Sequence, residues 1–201
     1  MSARVVLATK NRHKLEELHR ILDAAGLDIE LLGADAFPDL PDVPETESSF
    51  AGNALLKARE IARITGLPAI ADDSGLCVDA LNGMPGIFSA RWSGRHGDDA
   101  ANLALLLGQM SDVPDRRRGA SFRCAAAIAL PDGTERVVEG SMDGAIIREP
   151  RGTNGFGYDP IFMPLGYSVT TAEMPSDEKD AISHRGRSLQ ALAPVVQELL
   201  A

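Results

Sequence analysis

Cysteine is nearly absent from this 201-residue chain: Cys77 and Cys124 are the only two, both in apolar stretches. They cannot build a disulfide framework and read as buried thiols suited to a reducing cytoplasm. Positive charge is in deficit, with 20 Lys and Arg against 29 Asp and Glu for a net charge of -9. That balance argues against a surface that holds nucleic acid by neutralising phosphates. Long hydrophobic runs are missing as well. None approaches the ~18 apolar residues of a membrane span, and Val5-Val6-Leu7-Ala8 before Lys10 is far short of a signal-peptide core, so the expectation is a cytoplasmic protein without a membrane partner. No repeat, low-complexity tract or composition break marks a second independent domain. Hydrophobic residues at 44% and charged residues at 24% exclude disorder and coiled coil, and the length is enough for one domain with a sizeable core.

The common catalytic signatures are missing too. There is no G-x-x-x-x-G-K-[ST], H-E-x-x-H, G-x-S-x-G or paired C-x-x-C. Gly152, Gly155 and Gly157 run in the wrong order for a dinucleotide fingerprint. A phosphatase using an aspartate nucleophile in D-x-D-x-[TV] is not supplied by Asp72-Asp73-Ser74-Gly75.

What is present alternates strands and helices. Residues 4–9 form a short apolar run, followed by Leu15, Leu18, Ile21, Leu22 and Ala25 at helical spacing with Gly26 as the stop. Residues 29–32 read as a second strand, and residues 35–47, with five acidic residues, three prolines and no base, as a loop. From Ser49 the positions Ala51, Ala54, Leu55, Ala58, Ile61 and Ala62 give an apolar helix face closed by Gly66. Residues 67–71 read as a buried strand that the carboxylates of Asp72 and Asp73 interrupt. Asp98 is expected to cap a helix through Met110. Residues 121–130 and 134–139 flank Pro131-Asp132-Gly133 as a hairpin, and Leu189, Leu192, Val196 and Leu199 mark a last helix that Pro194 should bend. The class is α/β with a mixed sheet and flanking helices.

Two adjacent carboxylates at the end of an apolar strand carry a desolvation and repulsion cost that a cation or hydrogen bonds must offset. For Asp72 and Asp73 a turn capped by the Ser74-Gly75 amides and a metal site are both compatible with the spacing. Glu45 and Glu47 in the acidic loop favour the metal, because Mg²⁺ is held by one or two carboxylates while phosphates supply other oxygens. Residues 9–14 link the first strand to the first helix, where free N–H groups and the positive end of the dipole favour an anion; Lys10, Arg12 and Lys14 add charge there. The alternative is a solvated helix start. Lys179 with His184-Arg185 is a second basic group, compatible with either a binding or a structural role.

In order along the chain, these segments resemble the inosine/xanthosine triphosphate pyrophosphatase family. The resemblance rests on Val6-Leu7-Ala8-Thr9-Lys10-Asn11 with Lys14 and Glu17, and on Ser49-Phe50 with Asn53-Ala54-Leu55-Leu56-Lys57-Ala58. It continues through Ala71-Asp72-Asp73-Ser74-Gly75-Leu76 and Pro85-Gly86 with Ser89-Ala90-Arg91. The most specific pieces are Gly155-Phe156-Gly157-Tyr158-Asp159-Pro160-Ile161-Phe162 and Glu178-Lys179 with Ile182-Ser183-His184-Arg185-Gly186.

The resemblance implies one domain over residues 1–201, with an elongated mixed sheet and two lobes around a central cleft. It implies a homodimeric, Mg²⁺-dependent hydrolase that converts ITP, dITP or XTP to the monophosphate and pyrophosphate and so cleanses the nucleotide pool. It assigns the triphosphate grip to Thr9, Lys10, Asn11, Arg12, His13 and Lys14, and the general base to Asp73, with Asp73 and Glu45 facing the metal. Base and sugar contacts fall to Ser74, Phe156, Gly157, Tyr158, Asp159, Lys179, His184 and Arg185. Lys10 and Glu47 depart from the residues common in the family, and Glu47 competes with Glu45 as the metal-facing carboxylate. A related pyrophosphatase acting on modified pyrimidines and a nucleotide sensor without turnover are the competing readings.

Overall fold

The computed structural model describes residues 3–9, 12–37 and 40–200. The elements run β1 (Ala3–Leu7), α1 (Arg12–Ala24), β2 (Ile29–Gly33), α2 (Phe50–Thr65), β3 (Ala69–Val78), α3 (Asp99–Gln109), β4 (Gly119–Ala129), β5 (Glu135–Ile146), β6 (Phe162–Pro164), α4 (Ser176–Ile182) and α5 (His184–Leu200). The strands form one sheet in the order β2-β1-β3-β4-β5-β6. β1 pairs in parallel with β2, Ala3 opposite Ile29, and with β3, Val6 opposite Ala69. β5 pairs antiparallel with β6, Ile146 opposite Phe162, so the sheet is mixed as expected.

Local chemistry sets the helix ends. The Ser49 side chain accepts the Gly52 N–H at 3.0 Å to start α2, and Gly66, at φ 67°, closes it. Asp98 accepts the Ala101 N–H at 3.2 Å to start α3. The acidic loop begins with a single 3₁₀ turn, Ala34–Ala36. The last helix starts earlier than its apolar spacing suggests, at His184, and holds Pro194 within one continuous span. The short α4, polar over most of its length, has no apolar stripe for a periodicity argument to find.

The chain divides into two compact units. The first comprises Met1–Asp73, Cys124–Gly140 and Arg185–Ala201, and the second Ser74–Arg123 and Ser141–His184. In the first unit, strand alternation sends side chains into two layers. Val5, Leu7, Ile70, Ala126 and Ile128 pack with Leu18 and Leu22 of α1 and with Leu189, Leu192 and Val196 of α5. Val6, Ala69, Ala71, Ala125, Ala127 and Ala129 pack with Ala54, Ala58, Ile61 and Ala62 of α2. The small residues on this second face let α2 lie close to the sheet. The second unit has its own core of Leu76, Val78, Leu106, Met110, Phe122, Met142, Ile146, Ile161 and Phe162.

β3 departs from the sequence expectation. It runs without a break from Ala69 to Val78, so Asp72 and Asp73 lie inside a strand and neither interrupt it nor form a turn. Gly75 is there for space: a Cβ would collide with the Gly86 carbonyl and the Ser89 hydroxyl. The Ser89 side chain accepts the Leu76 N–H at 2.9 Å and donates to the Gly86 carbonyl at 2.6 Å. Cys124 is buried as expected, whereas Cys77 is half-buried.

Candidate active site

Successive side chains of a strand point to opposite faces, so Asp72 and Asp73 cannot share one ion as a side-by-side pair. Asp72 lies on the face of Ile70, toward the α1 and α5 layer. Asp73 lies on the face of Ala69 and Ala71, toward α2. Both carboxylates are buried, at 8% and 7% exposure.

Two residues of α2, one turn apart, receive Asp73. Asn53 is fully buried; its amide donates to Asp73 Oδ2 at 3.0 Å and its carbonyl oxygen accepts the Glu47 N–H at 3.0 Å. Lys57 Nζ lies 3.2 Å from Asp73 Oδ1 and 2.6 Å from Glu45 Oε1. The ammonium therefore draws together the two carboxylates assigned to the metal. Burial pushes the Asp73 carboxyl above its ordinary range; the Lys57 charge opposes that shift and the Glu45 charge adds to it. Burial lowers Lys57, but the Asp73 charge and the Glu45 hydrogen bond outweigh it, so the ammonium is held above its ordinary value. Glu47 reaches this network through its backbone N–H.

Asn53 and Lys57 are quoted in the family resemblance without a role. Their signal is a polar i, i+4 pair on the stripe where Ala54 and Ala58 are buried.

On the other face of the sheet, Arg185 at the start of α5 donates from Nε to Asp72 Oδ2 at 3.4 Å, and Cys124 Sγ lies 4.0 Å from the same oxygen. Both members of the ion pair are largely buried, with side chains 12% and 6% exposed.

A second cluster lies within the other unit. Asp159, 3% exposed, accepts from the Phe156 N–H at 2.8 Å, the Thr171 hydroxyl at 2.8 Å and Lys179 Nζ at 2.5 Å. This network holds the glycine-rich loop. Gly155, at φ 74°, has no room for a Cβ against the Asp159 carboxylate. Phe156 is presented at 59% exposure with Lys179 Nζ 5.4 Å from its ring centroid. The Gly157 N–H donates to Asp99 Oδ2 at 2.9 Å, a loop contact that sequence reading did not assign. Tyr158 is buried and donates to the Ser89 carbonyl at 2.9 Å; burial and the Asp99 charge push its phenol up. His184 stacks on Phe122 with centroids 4.9 Å apart. Ser74, half-buried, is the first residue of this unit.

Of the assigned triphosphate grip, Thr9 lies two residues beyond the end of β1 and its N–H donates to the Leu7 carbonyl at 2.8 Å. Lys10 and Asn11 lie outside the described residues. α1 begins at Arg12, and the side chains of Arg12, His13 and Lys14 also lie outside what is described.

The Glu45 and Asp73 carboxylates suit Mg²⁺. Their oxygens already converge on one cation, Lys57 Nζ, and oxygen donors are what this hard ion requires. Among the described residues no group of three or more His, Cys, Asp or Glu is placed to hold a metal, so water and phosphate oxygens would complete the shell.

The sequence model of the Ham1 family matches residues 5–195, and the chain belongs to that family. It is 64% identical to the dITP/XTP pyrophosphatase of Streptomyces avermitilis over 98% of each chain. It is 55% identical to the protein of the same name from Mycobacterium tuberculosis, over 98% of this chain and 96% of that one. Among solved structures, the nucleoside-triphosphatase / dITP/XTP pyrophosphatase of Mycobacterium abscessus is 57% identical with a TM-score of 0.82, covering 96% of this chain and 99% of that one. A HAM1 protein from Coxiella burnetii is 43% identical with a TM-score of 0.90, covering 98% and 99%. The mixed α/β fold expected from sequence is thus the fold found.

Proposed function

We propose that this chain hydrolyses ITP, dITP and XTP to the monophosphate and pyrophosphate, with Asp73 as the general base. The class, a nucleoside triphosphate pyrophosphatase, is that of its Ham1 relatives. The observation that carries the assignment to Asp73 is its environment. The carboxylate is buried, locked at Oδ2 by Asn53 and raised above its ordinary range by that burial, which improves its basicity.

Asp73 would take the proton of the water whose oxygen bonds to the α-phosphorus, as the bond from that phosphorus to the bridging oxygen breaks and pyrophosphate leaves. Glu45 and Asp73 would hold Mg²⁺, which when bound neutralises phosphate charge and polarises the phosphoryl oxygens. The start of α1 at Arg12 supports a phosphate grip over Thr9, Lys10, Asn11, Arg12, His13 and Lys14, since the first N–H groups of a helix lack internal partners. Phe156 offers an exposed ring for stacking on a base, held by the Asp159–Lys179 pair. Arg185, which only donates hydrogen bonds, would donate to the 6-carbonyl of deaminated purines and find no acceptor in the 6-amino group of adenine. Ser74, Gly157, Tyr158 and His184 complete the assigned contacts.

The deciding experiment is pyrophosphate release from ITP, dITP and XTP, with and without Mg²⁺, against ATP, GTP and modified pyrimidine triphosphates. Binding without release would leave a nucleotide sensor, and a pyrimidine preference the related pyrophosphatase. A cytoplasmic homodimer belongs to the same proposal, and sedimentation of the purified protein tests the dimer. No helix of the described residues is long and apolar enough to cross a membrane.

A further inference from the structure

Asp72 has the burial of a functional carboxylate but not the position of a metal ligand. Alternation along β3 sends it to the face opposite Asp73, away from α2, Asn53 and Lys57. What it meets there is a cation already fixed to the chain. Arg185 Nε donates to Asp72 Oδ2 at 3.4 Å with both side chains nearly closed to solvent. An arginine does not lose its proton, so burying Arg185 requires a fixed counter-charge, and Asp72 supplies it. A metal on the same oxygen would place a second cation against the guanidinium.

Guanidinium geometry gives the pair a further consequence. Nε is one of five donors held in a rigid plane; engaging it fixes the plane and hence the directions of the two terminal amino groups. A residue meant to discriminate a carbonyl from an amino group must have its donors aimed, because a loosely held donor can turn away from the mismatch at little cost.

We propose that Asp72 is a positioning residue for Arg185: it neutralises and orients the guanidinium for discrimination of the purine 6-position and takes no part in holding Mg²⁺. This rests on the reading of Arg185 given above. The assignment separates the two adjacent aspartates by task, chemistry to Asp73 on one face and base selection to Asp72 on the other.

The test compares Asp72→Asn, Asp72→Ala and Arg185→Lys, singly and combined, by kcat/KM for ITP and ATP, by Mg²⁺ half-saturation, and by calorimetric binding of inosine and adenosine monophosphates in metal-free buffer. Asp72→Asn keeps an acceptor of the same shape and is the variant to use should Asp72→Ala fail to fold. The expected result is a fall of about tenfold or more in the ITP-to-ATP ratio for Asp72→Ala, less for Asp72→Asn, since a charged hydrogen bond is lost in full or in part. Metal-free preference for the inosine nucleotide should fall in parallel while Mg²⁺ half-saturation stays within about twofold. Combined with Arg185→Lys, Asp72→Asn should add nothing further.

A several-fold rise in Mg²⁺ half-saturation with the ratio intact would make Asp72 a metal group and overturn the proposal, as would effects of Asp72→Asn and Arg185→Lys that multiply. If Arg185→Lys alone leaves both the ratio and metal-free binding unchanged, the base-reading assignment fails on its own account. The pairing is then judged by KM, where non-additivity of the two substitutions supports it and additivity overturns it.

Discussion

Replacing Lys57 with methionine keeps most of the side-chain volume on α2 and removes the ammonium that bridges Glu45 and Asp73. In the parent, the ammonium lies 2.6 Å from one carboxylate and 3.2 Å from the other, with its side chain 18% exposed. Breaking a buried pair by deleting one partner costs about 3–5 kcal/mol when the remaining charge is trapped. Partial exposure, and the freedom of a carboxylate to take up a proton, place Lys57→Met near the lower end, about 3 kcal/mol at neutral pH. That corresponds to a Tm lower by about 6–12 °C for a chain of this length.

The sign of the pH dependence follows from the two shifts. Lys57 is raised above its ordinary value of 10.5, so its contribution to parent stability is complete below that pH and is lost as pH rises through the folded value. Asp73 is already raised above 3.8 and rises further without the ammonium, so acid protonates it and relieves the variant. The Tm gap between parent and variant should therefore widen from pH 5 to pH 8. In kinetics, the acidic limb of kcat/KM moves to higher pH. Mg²⁺ half-saturation falls, because the carboxylates no longer share their charge with an ammonium. An acidic limb that stays in place, together with a Tm gap equal at both pH values, would refute the network as described.

How far the chain was legible depended on whether a residue's role is local. Asp98 and Gly66 act through their own helix ends and were readable as a cap and a stop from position alone, whereas the capping role of Ser49 emerges from the structure. Asp72 and Asp73 were conspicuous, but the expectation that they interrupt the strand failed: β3 runs through them, and its pleat assigns them to different layers. A continuous strand was hard to see there, since two carboxylates, a serine and a glycine carry no β propensity. Their place in β3 follows from tertiary contacts instead: Asn53 and Lys57 on one face, Arg185 on the other. The family resemblance supplied the names of the site residues but not their partners. Asp159 and Lys179, both assigned to substrate, also bind each other and shape the loop that carries Phe156. No spacing of 20 residues along a chain announces such a pair.

Asp73→Asn should lower kcat by about 10²–10⁴, measured as pyrophosphate release at saturating Mg²⁺, because the amide has no basic site. Its Tm should drop by no more than about 10 °C, since one amide donor left facing Lys57 or Asn53 costs about 1–3 kcal/mol and relief of the buried charge acts in the opposite sense. Asn53→Ala frees both Asp73 Oδ2 and the Glu47 N–H, and should reduce kcat with a smaller change in KM in steady-state assays. Lys179→Met should raise KM for ITP and increase proteolytic cleavage within the Gly155 loop, since Asp159 loses its cation. Arg118→Met is expected to affect stability without touching either cluster. Arg118 is 3% exposed and its guanidinium donates to the carbonyls of Met110 at 2.6 Å, Ile146 at 2.7 Å and Ile147 at 3.2 Å, with burial lowering its pKa. Methionine fills the space but donates nothing. The Met110 carbonyl keeps the Val113 N–H at 3.1 Å, so the loss falls on the Ile146 and Ile147 carbonyls, at about 1–3 kcal/mol each. A Tm lower by about 4–12 °C follows, taking the smaller part of that range because buried apolar area is gained. Since these carbonyls belong to the core of the second unit, kcat/KM at 25 °C should match the parent within about twofold; a large kinetic effect with an unchanged Tm would show that Arg118 acts on substrate and not on the fold.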